Sequence, residues 1–257
     1  MPFARPHPAT CIFARFIALG LCVLLSPASL AAESAATLGD PGAPPAGKVA
    51  GVPAHANNGN ELRDIAMQEL LDRFASEKKV TVSQQEISIY REFMTKIAED
   101  DRKEKSAQRD KLKAKLAGSG LDAAGREQTQ AELAAVEQLL AATAPKDSPT
   151  DEEKAAMDEI AQAVIRQWKV NRLLHQEFGG RIIRQQGGPE PLDAYRRFLE
   201  SAQKQGNLTI TGESIEQQFW QYFRDDSLHD FHPAGSPEEA QAFKTPPWAA
   251  EKPAQPE

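Results

Sequence analysis

From Leu62 onward, large apolar residues recur every three to four positions, and that period predicts helices rather than strands for most of the chain. Leu62, Ile65, Met67, Leu70, Leu71 and Phe74 form one side of a first helix ending near Lys78-Lys79, where cations suit the negative end of the helix dipole. Ser83 followed three residues later by Glu86 has the spacing of a capping box, in which each side chain satisfies the other residue's free backbone N–H. Ile87, Tyr90, Met94 and Ile97 continue the apolar face behind it. The same spacing recurs at Thr150 and Glu153 and at Ser214 and Gln217.

Behind Thr150, the residues Met157, Ile160, Val164, Ile165, Trp168, Leu173, Leu174 and Phe178 cover more than one face of a helix. At 1.5 Å per residue it would be about 42 Å long, and it is expected at the centre of the fold. Gly179-Gly180 ends it, and Pro189-Glu190-Pro191 opens another helix with Leu192, Tyr195, Phe198 and Leu199 inward, closed by Gly206. Ile215, Phe219, Trp220, Tyr222 and Phe223 belong to a last helix.

Other stretches break this period. Residues 99 to 115, EDDRKEKSAQRDKLKAK, alternate in charge with almost no apolar stripe, so they predict a solvated helix held by i,i+4 pairs. Gly118-Ser119-Gly120 breaks it, and Leu133, Val136, Leu139 and Leu140 can fold back on Leu112 and Leu116, a protruding hairpin over 99–140. Leu208 and Ile210 alternate with polar neighbours in a strand-like way and are expected to pair with Ile182-Ile183. Residues 32–60, with four prolines and five glycines between 33 and 60, predict a flexible linker, and the Pro-rich end, 227–257, a disordered tail. The expected fold is therefore mainly α: an irregular helical bundle over 61–226 with a protruding hairpin and at most a two-stranded β-ribbon.

Composition sharpens the picture. Phe16 to Leu25 is an apolar or small run behind Arg5 and Arg15, followed by Ser29-Leu30-Ala31, the pattern of a secretory signal over 1–31 cleaved near Ala31. That run is about half the length needed to span a bilayer, so no stable membrane anchor is expected, and the destination is periplasmic. Cys11 and Cys22 both lie in this segment, which leaves the exported part without disulfides or thiolate chemistry. The chain carries 30 Lys+Arg against 37 Asp+Glu, a net charge of −7, and loses two further cations with the signal. That balance argues against nucleic acid as a partner.

The residues carry few signs of catalysis. His175 lacks the His-Glu-x-x-His spacing that puts two imidazoles on one helix face, and His229 and His232 flank Asp230-Phe231 near the end. Neither a nucleophile elbow nor a phosphate-cradling glycine loop occurs. No cofactor, metal or enzymatic activity is expected. Gly179 to Pro191, GGRIIRQQGGPEP, joins two apolar helices with a polar loop, which makes Arg181, Arg184, Gln185 and Gln186 candidate peptide contacts. Phe219, Trp220, Tyr222 and Phe223 span nearly a full helical turn, more than one buried face uses, so Phe219, Trp220 and Phe223 are further candidates. Burial in the core is the competing fate of these aromatics.

The run Glu61 to Tyr90, ELRDIAMQELLDRFASEKKVTVSQQEISIY, resembles the N-terminal helical domain of SurA-like periplasmic chaperones: a leucine-rich helix, a Lys-Val-Thr-Val link, then Ser-x-x-Glu opening a second helix. The helix Met157 to Phe178 resembles the later helices of that domain, and the helix from Ser214 stands where the family returns a C-terminal helix to the core. Parvulin isomerase motifs are absent from this sequence, so prolyl isomerase activity is not implied. The resemblance implies an ATP-independent holdase for unfolded or extended polypeptides, outer-membrane proteins among them. The alternative reading is a structural or adaptor protein of the bacterial envelope that docks a specific partner through the hairpin.

Overall fold

The computed structural model describes residues 37–144, 150–185 and 188–249. The expected signal segment, the Pro145 and Ser148-Pro149 boundary, Gln186 and the last eight residues lie outside the described residues.

The chain is mainly helical, as its period predicts, with a larger sheet than expected. Strands β1 (Leu38–Gly39), β2 (Pro45–Val49) and β3 (Val52–His55) precede helix α1 (Gly59–Glu77). Next come α2 (Gln84–Ala117), α3 (Ala123–Ala142) and α4 (Asp151–Phe178). Strands β4 (Ile183–Gln185) and β5 (Gly188–Glu190) follow, then α5 (Leu192–Lys204), β6 (Leu208–Ile210), α6 (Glu213–Arg224) and the short α7 (Pro237–Gln241).

The four-stranded sheet has the order β1-β3-β2-β6, and β4 and β5 form a separate antiparallel pair. Two expectations are corrected here. Residues 37–58 are not a linker, and Leu208 and Ile210 pair with Val49 and Gly47 rather than with Ile182-Ile183. The linker expectation rested on the lack of large apolar side chains, but this sheet needs none. Ala46, Val49, Ala54 and Ala56 are at most 3% exposed, and small residues let the sheet lie close on α1. Gly47 is demanded outright, because a Cβ there would stand 2.0 Å from the Thr209 carbonyl oxygen. The β2–β3 turn is Ala50-Gly51 with φ of 53° and 84°, the two positive values that a tight hairpin matching the strand twist requires.

The helices follow their caps. Ser83 with Glu86 and Thr150 with Glu153 both form complete capping boxes. Ser214 with Gln217 does not: α6 begins two residues earlier, behind Gly212, and the Gln217 amide donates to Glu213 instead. Gly179 and Gly180 end α4 with φ of 60° and 101°.

The main core lies where α1, α4, α5 and α6 meet the four-stranded sheet. Leu62, Leu174, Leu192, Leu199, Leu208 and Phe219 are all fully buried there. Helix α6 rests directly on the start of α1, where a Cβ on Gly59 would lie 2.2 Å from the Ile215 carbonyl oxygen. The Gly59 N–H donates to Gln218 Oε1 at 3.0 Å across the same contact.

The expected hairpin is present, formed by the outer part of α2 and by α3. Its small core is Leu112, Leu133, Val136 and Leu140, and the Arg102 guanidinium donates to the Leu140 and Thr143 carbonyls at 2.9 and 3.2 Å. The expected disordered tail is corrected over 227–249. Residues 230–232 run along β4, with Arg184 N–H donating to Asp230 at 2.8 Å and His232 N–H to Ile182 at 3.0 Å. Phe243 is 8% exposed. Proline content hid this order, since two aromatic anchors suffice to seat a segment that forms almost no regular structure.

Candidate functional site

Two concave regions flank α4. The first is polar. Its walls are Gln68 and Asp72 of α1, Arg166, Gln167 and Asn171 of α4, the β4–β5 pair and Tyr195, and its volume is about 500 Å³. Amide side chains dominate it. Gln167 donates to Asn171 Oδ1 at 2.8 Å and to the Tyr195 hydroxyl at 2.9 Å, and that hydroxyl donates in turn to Asn171. Asn171 Nδ2 reaches the Pro189 carbonyl at 3.3 Å, tying α4 to β5.

Glu190 lines this cleft from β5. Burial pushes its carboxyl above the usual range, although the Tyr222 hydroxyl, donating at 3.1 Å, and the charges of His229 and Arg63 oppose the shift. Burial, and after it the Glu190 charge, pushes the Tyr222 hydroxyl up to about 12. The Tyr195 hydroxyl is raised for the same two reasons. The cleft thus sets amide and hydroxyl groups, with the Asp72–Arg166 ion pair at 2.7 Å in its wall, around a carboxyl that resists ionisation.

The second region is an apolar groove between the first half of α2 and the first half of α4. The Arg91–Asp158 ion pair at 3.2 Å fixes the two helices antiparallel. At the inner end Ile87, Ala161 and Ile165 are buried, with Val82 and Tyr90 packed against them. Further out along the two helices, Met94, Ile97, Met157 and Ile160 are 40%, 46%, 41% and 60% exposed. A separate, charged hollow runs along α2, lined by Arg91, Glu92, Lys96, Glu99 and Lys103.

The inner end is filled by the chain's own C-terminal segment. The Trp248 ring meets Tyr90 edge-on at 5.3 Å and Trp168 at 5.9 Å. Phe243 packs on Trp168 and Ile182, with its ring 5.2 Å from His175.

Most of the candidate peptide contacts are spent on the fold. Arg181 donates to Asp193 at 2.9 Å and to Asp226 at 2.7 Å and lies 4.3 Å over the Phe231 ring, so it joins α5 to the residues after α6. Burial would raise the Asp193 carboxyl, but the side-chain and backbone hydrogen bonds of Arg181 outweigh it and hold that carboxyl below the usual range. Arg184 pairs with Asp230 at 3.0 Å. Gln185 is exposed at the rim of the polar cleft, and Gln186 lies outside the described residues. Phe219, Trp220 and Phe223 are at most 1% exposed, so the expectation that part of this cluster forms a contact surface is corrected. Their arc is wider than one face because α6 is covered from two sides, by α1 and by α5.

The groove aromatics were not singled out from the sequence. The available signal was Phe243 and Trp248 standing alone among prolines, five residues apart. Among the described residues, no three His, Cys, Asp or Glu side chains are placed to hold a metal ion, and no helix is long and apolar enough to cross a membrane. His55, His175 and His229 each face a backbone carbonyl, of Ala43, Gly180 and Tyr222, at 2.8, 3.3 and 2.6 Å. Set against protein-family models, curated proteins and solved structures, the chain matches none of them.

Proposed function

We propose that this protein is an exported, ATP-independent holdase that binds non-native envelope polypeptides along the groove between α2 and α4. One observation carries the reading: four large apolar side chains, two of them methionines, stand exposed along the first halves of α2 and α4. Large apolar side chains left open to solvent in one region mark a protein-binding surface. Methionine suits clients of varied shape, because its unbranched, polarisable side chain adapts to irregular partners. The signal-like residues 1–31 and the likeness of Glu61 to Tyr90 to SurA-like chaperones support the periplasm as the place of action and unfolded outer-membrane proteins as clients.

The test is light scattering of an unfolded outer-membrane protein diluted from denaturant. Mature protein in several-fold excess slows its aggregation, and the Ile97→Asp, Ile160→Asp double variant does so much less while keeping its circular dichroism. Unchanged scattering with the unaltered protein overturns the reading.

A second reading, an adaptor that docks a specific partner through the hairpin, has its own support. The hairpin is held by four apolar residues, by arginine clamps at Arg102 and Arg126 and by the Lys113–Glu137 ion pair, and its outer faces are charged. Replacing 99–140 by a short loop separates the two, since an adaptor loses its partner whereas the groove keeps its holdase activity.

A further inference from the structure

The inner half of the α2–α4 groove holds a guest already, and the manner in which it is held describes what else fits. The C-terminal segment enters through a single β-bridge of Phe231 to Ile183, with Asp230 and His232 bonded through backbone to Arg184 and Ile182. It then seats Phe243 on Trp168 and Ile182, and Trp248 on Trp168 and Tyr90. Among the described residues, the hydrogen bonds of 233–249 close within the segment itself: Ser236 to Pro233, Ala240 to Ser236, Lys244 to Gln241, Ala249 to Pro246. Two rings therefore hold a stretch of seventeen residues on the body. Beneath them the Trp168 indole N–H is buried without a hydrogen-bond acceptor, although a backbone carbonyl crossing the groove at that point would supply one.

We infer that residues 231–248 are a built-in, displaceable occupant of the client site, and that the site takes a polypeptide segment presenting two aromatic residues about five positions apart on a short helix and turn, as Phe243 and Trp248 are presented behind α7. This rests on the holdase reading and deepens it. The guest pairs one residue with β4, seats Phe243 on the second half of α4 and Ile182, and lays Trp248 between Tyr90 of α2 and Trp168 of α4, so the two ring pockets carry both affinity and selectivity. The outer methionine-lined half, which the C-terminal segment leaves open, provides the place where a client first lands before it takes the inner half. The segment is then a competitor held at high effective concentration, which lowers apparent affinity for weak clients and protects the aromatic pocket between them.

The experiment uses the full mature chain, its Phe243→Ala, Trp248→Ala double variant, and a fluorescent synthetic peptide of residues 229–249 followed by anisotropy. The double variant binds this peptide at least ten-fold more tightly than the unaltered chain, and a peptide with both aromatics changed to alanine does not bind. A further Tyr90→Ala change in the double variant weakens binding again. Equal binding by the unaltered chain and the double variant, or binding by neither, overturns the inference. Trp248→Ala alone, which removes a half-buried ring, gives the same comparison should the double variant lose helical content. Client aggregation is followed in the same proteins. Slowed aggregation with the unaltered chain and no gain in the variants overturns the inference and leaves the holdase reading. Peptide capture without any slowing of aggregation supports the inferred pocket and overturns the holdase reading.

Discussion

Helix α6 and the first halves of α2 and α4 carry similar apolar side chains at similar spacing, and they meet opposite fates. On α6, Phe219, Trp220 and Phe223 are sealed between α1, α5 and the sheet. On α2 and α4, Met94, Ile97, Met157 and Ile160 are between 40% and 60% exposed. The difference comes from what the rest of the chain brings over each helix. Helices α1 and α5 close over α6, whereas α3 turns away to pack on the far end of α2, so the α2–α4 mouth stays open. Apolar spacing states that a face seeks cover, and the topology decides whether the cover is the protein itself or something it binds.

Substitutions sharpen this contrast. The largest effect is expected on α6: Trp220→Ala empties the centre of the core and costs about 3–5 kcal/mol, read as a shifted denaturation midpoint. Asp193→Ala comes next, at about 2–3 kcal/mol, because it strands the Arg181 N–H donors that tie α5 to the residues after α6. The Asp193 carboxyl lies below its ordinary range when folded. Its contribution is therefore full above the ordinary carboxylate pKa and fades as pH falls through the lowered folded value, so the variant and the parent converge in strong acid.

Glu190→Gln has the opposite sign. A carboxyl raised by burial binds its proton more readily in the folded state, so it costs stability as pH rises above the unfolded carboxylate value. The variant gains about 1 kcal/mol at most at neutral pH, while its amide oxygen still accepts from Tyr222, and thermal melts show the gain vanishing near pH 4. Ile160→Ala sits at the bottom of the scale, within about 0.5 kcal/mol of the parent, and lowers only client binding. A loss at Ile160 comparable to that at Trp220 would show that the groove mouth is core after all and dissolve the contrast.

Much of the helical framework was legible in the residues. The capping boxes at Ser83 and Thr150, the Gly179-Gly180 stop and the charged hairpin are local signals, and local backbone chemistry is what a sequence states most directly. The sheet was not legible, because its cue is smallness. Gly47, Ala46 and Ala54 matter for the space they leave, and that space exists only once Thr209 and α1 arrive from elsewhere in the chain. The groove was half legible. Ile87, Tyr90, Met94 and Ile97 were read as one apolar face, yet nothing in their spacing tells that Trp248 covers the first two and leaves the others open. Arg181 was misplaced for a related reason: a cation in a polar loop looks free until Asp193 and Asp226, from two later segments, are seen to hold it.

The pairing of β2 with β6 joins Val49 to Leu208 across most of the domain. Closing so long a loop is slow, since entropy is lost before any contact rewards it. A polypeptide emerging from the ribosome therefore has a bare strand edge at Gly47 and an uncovered α1 until almost its last helix has been synthesised. Delayed closure of this kind keeps the chain loose and threadable until its synthesis is nearly complete.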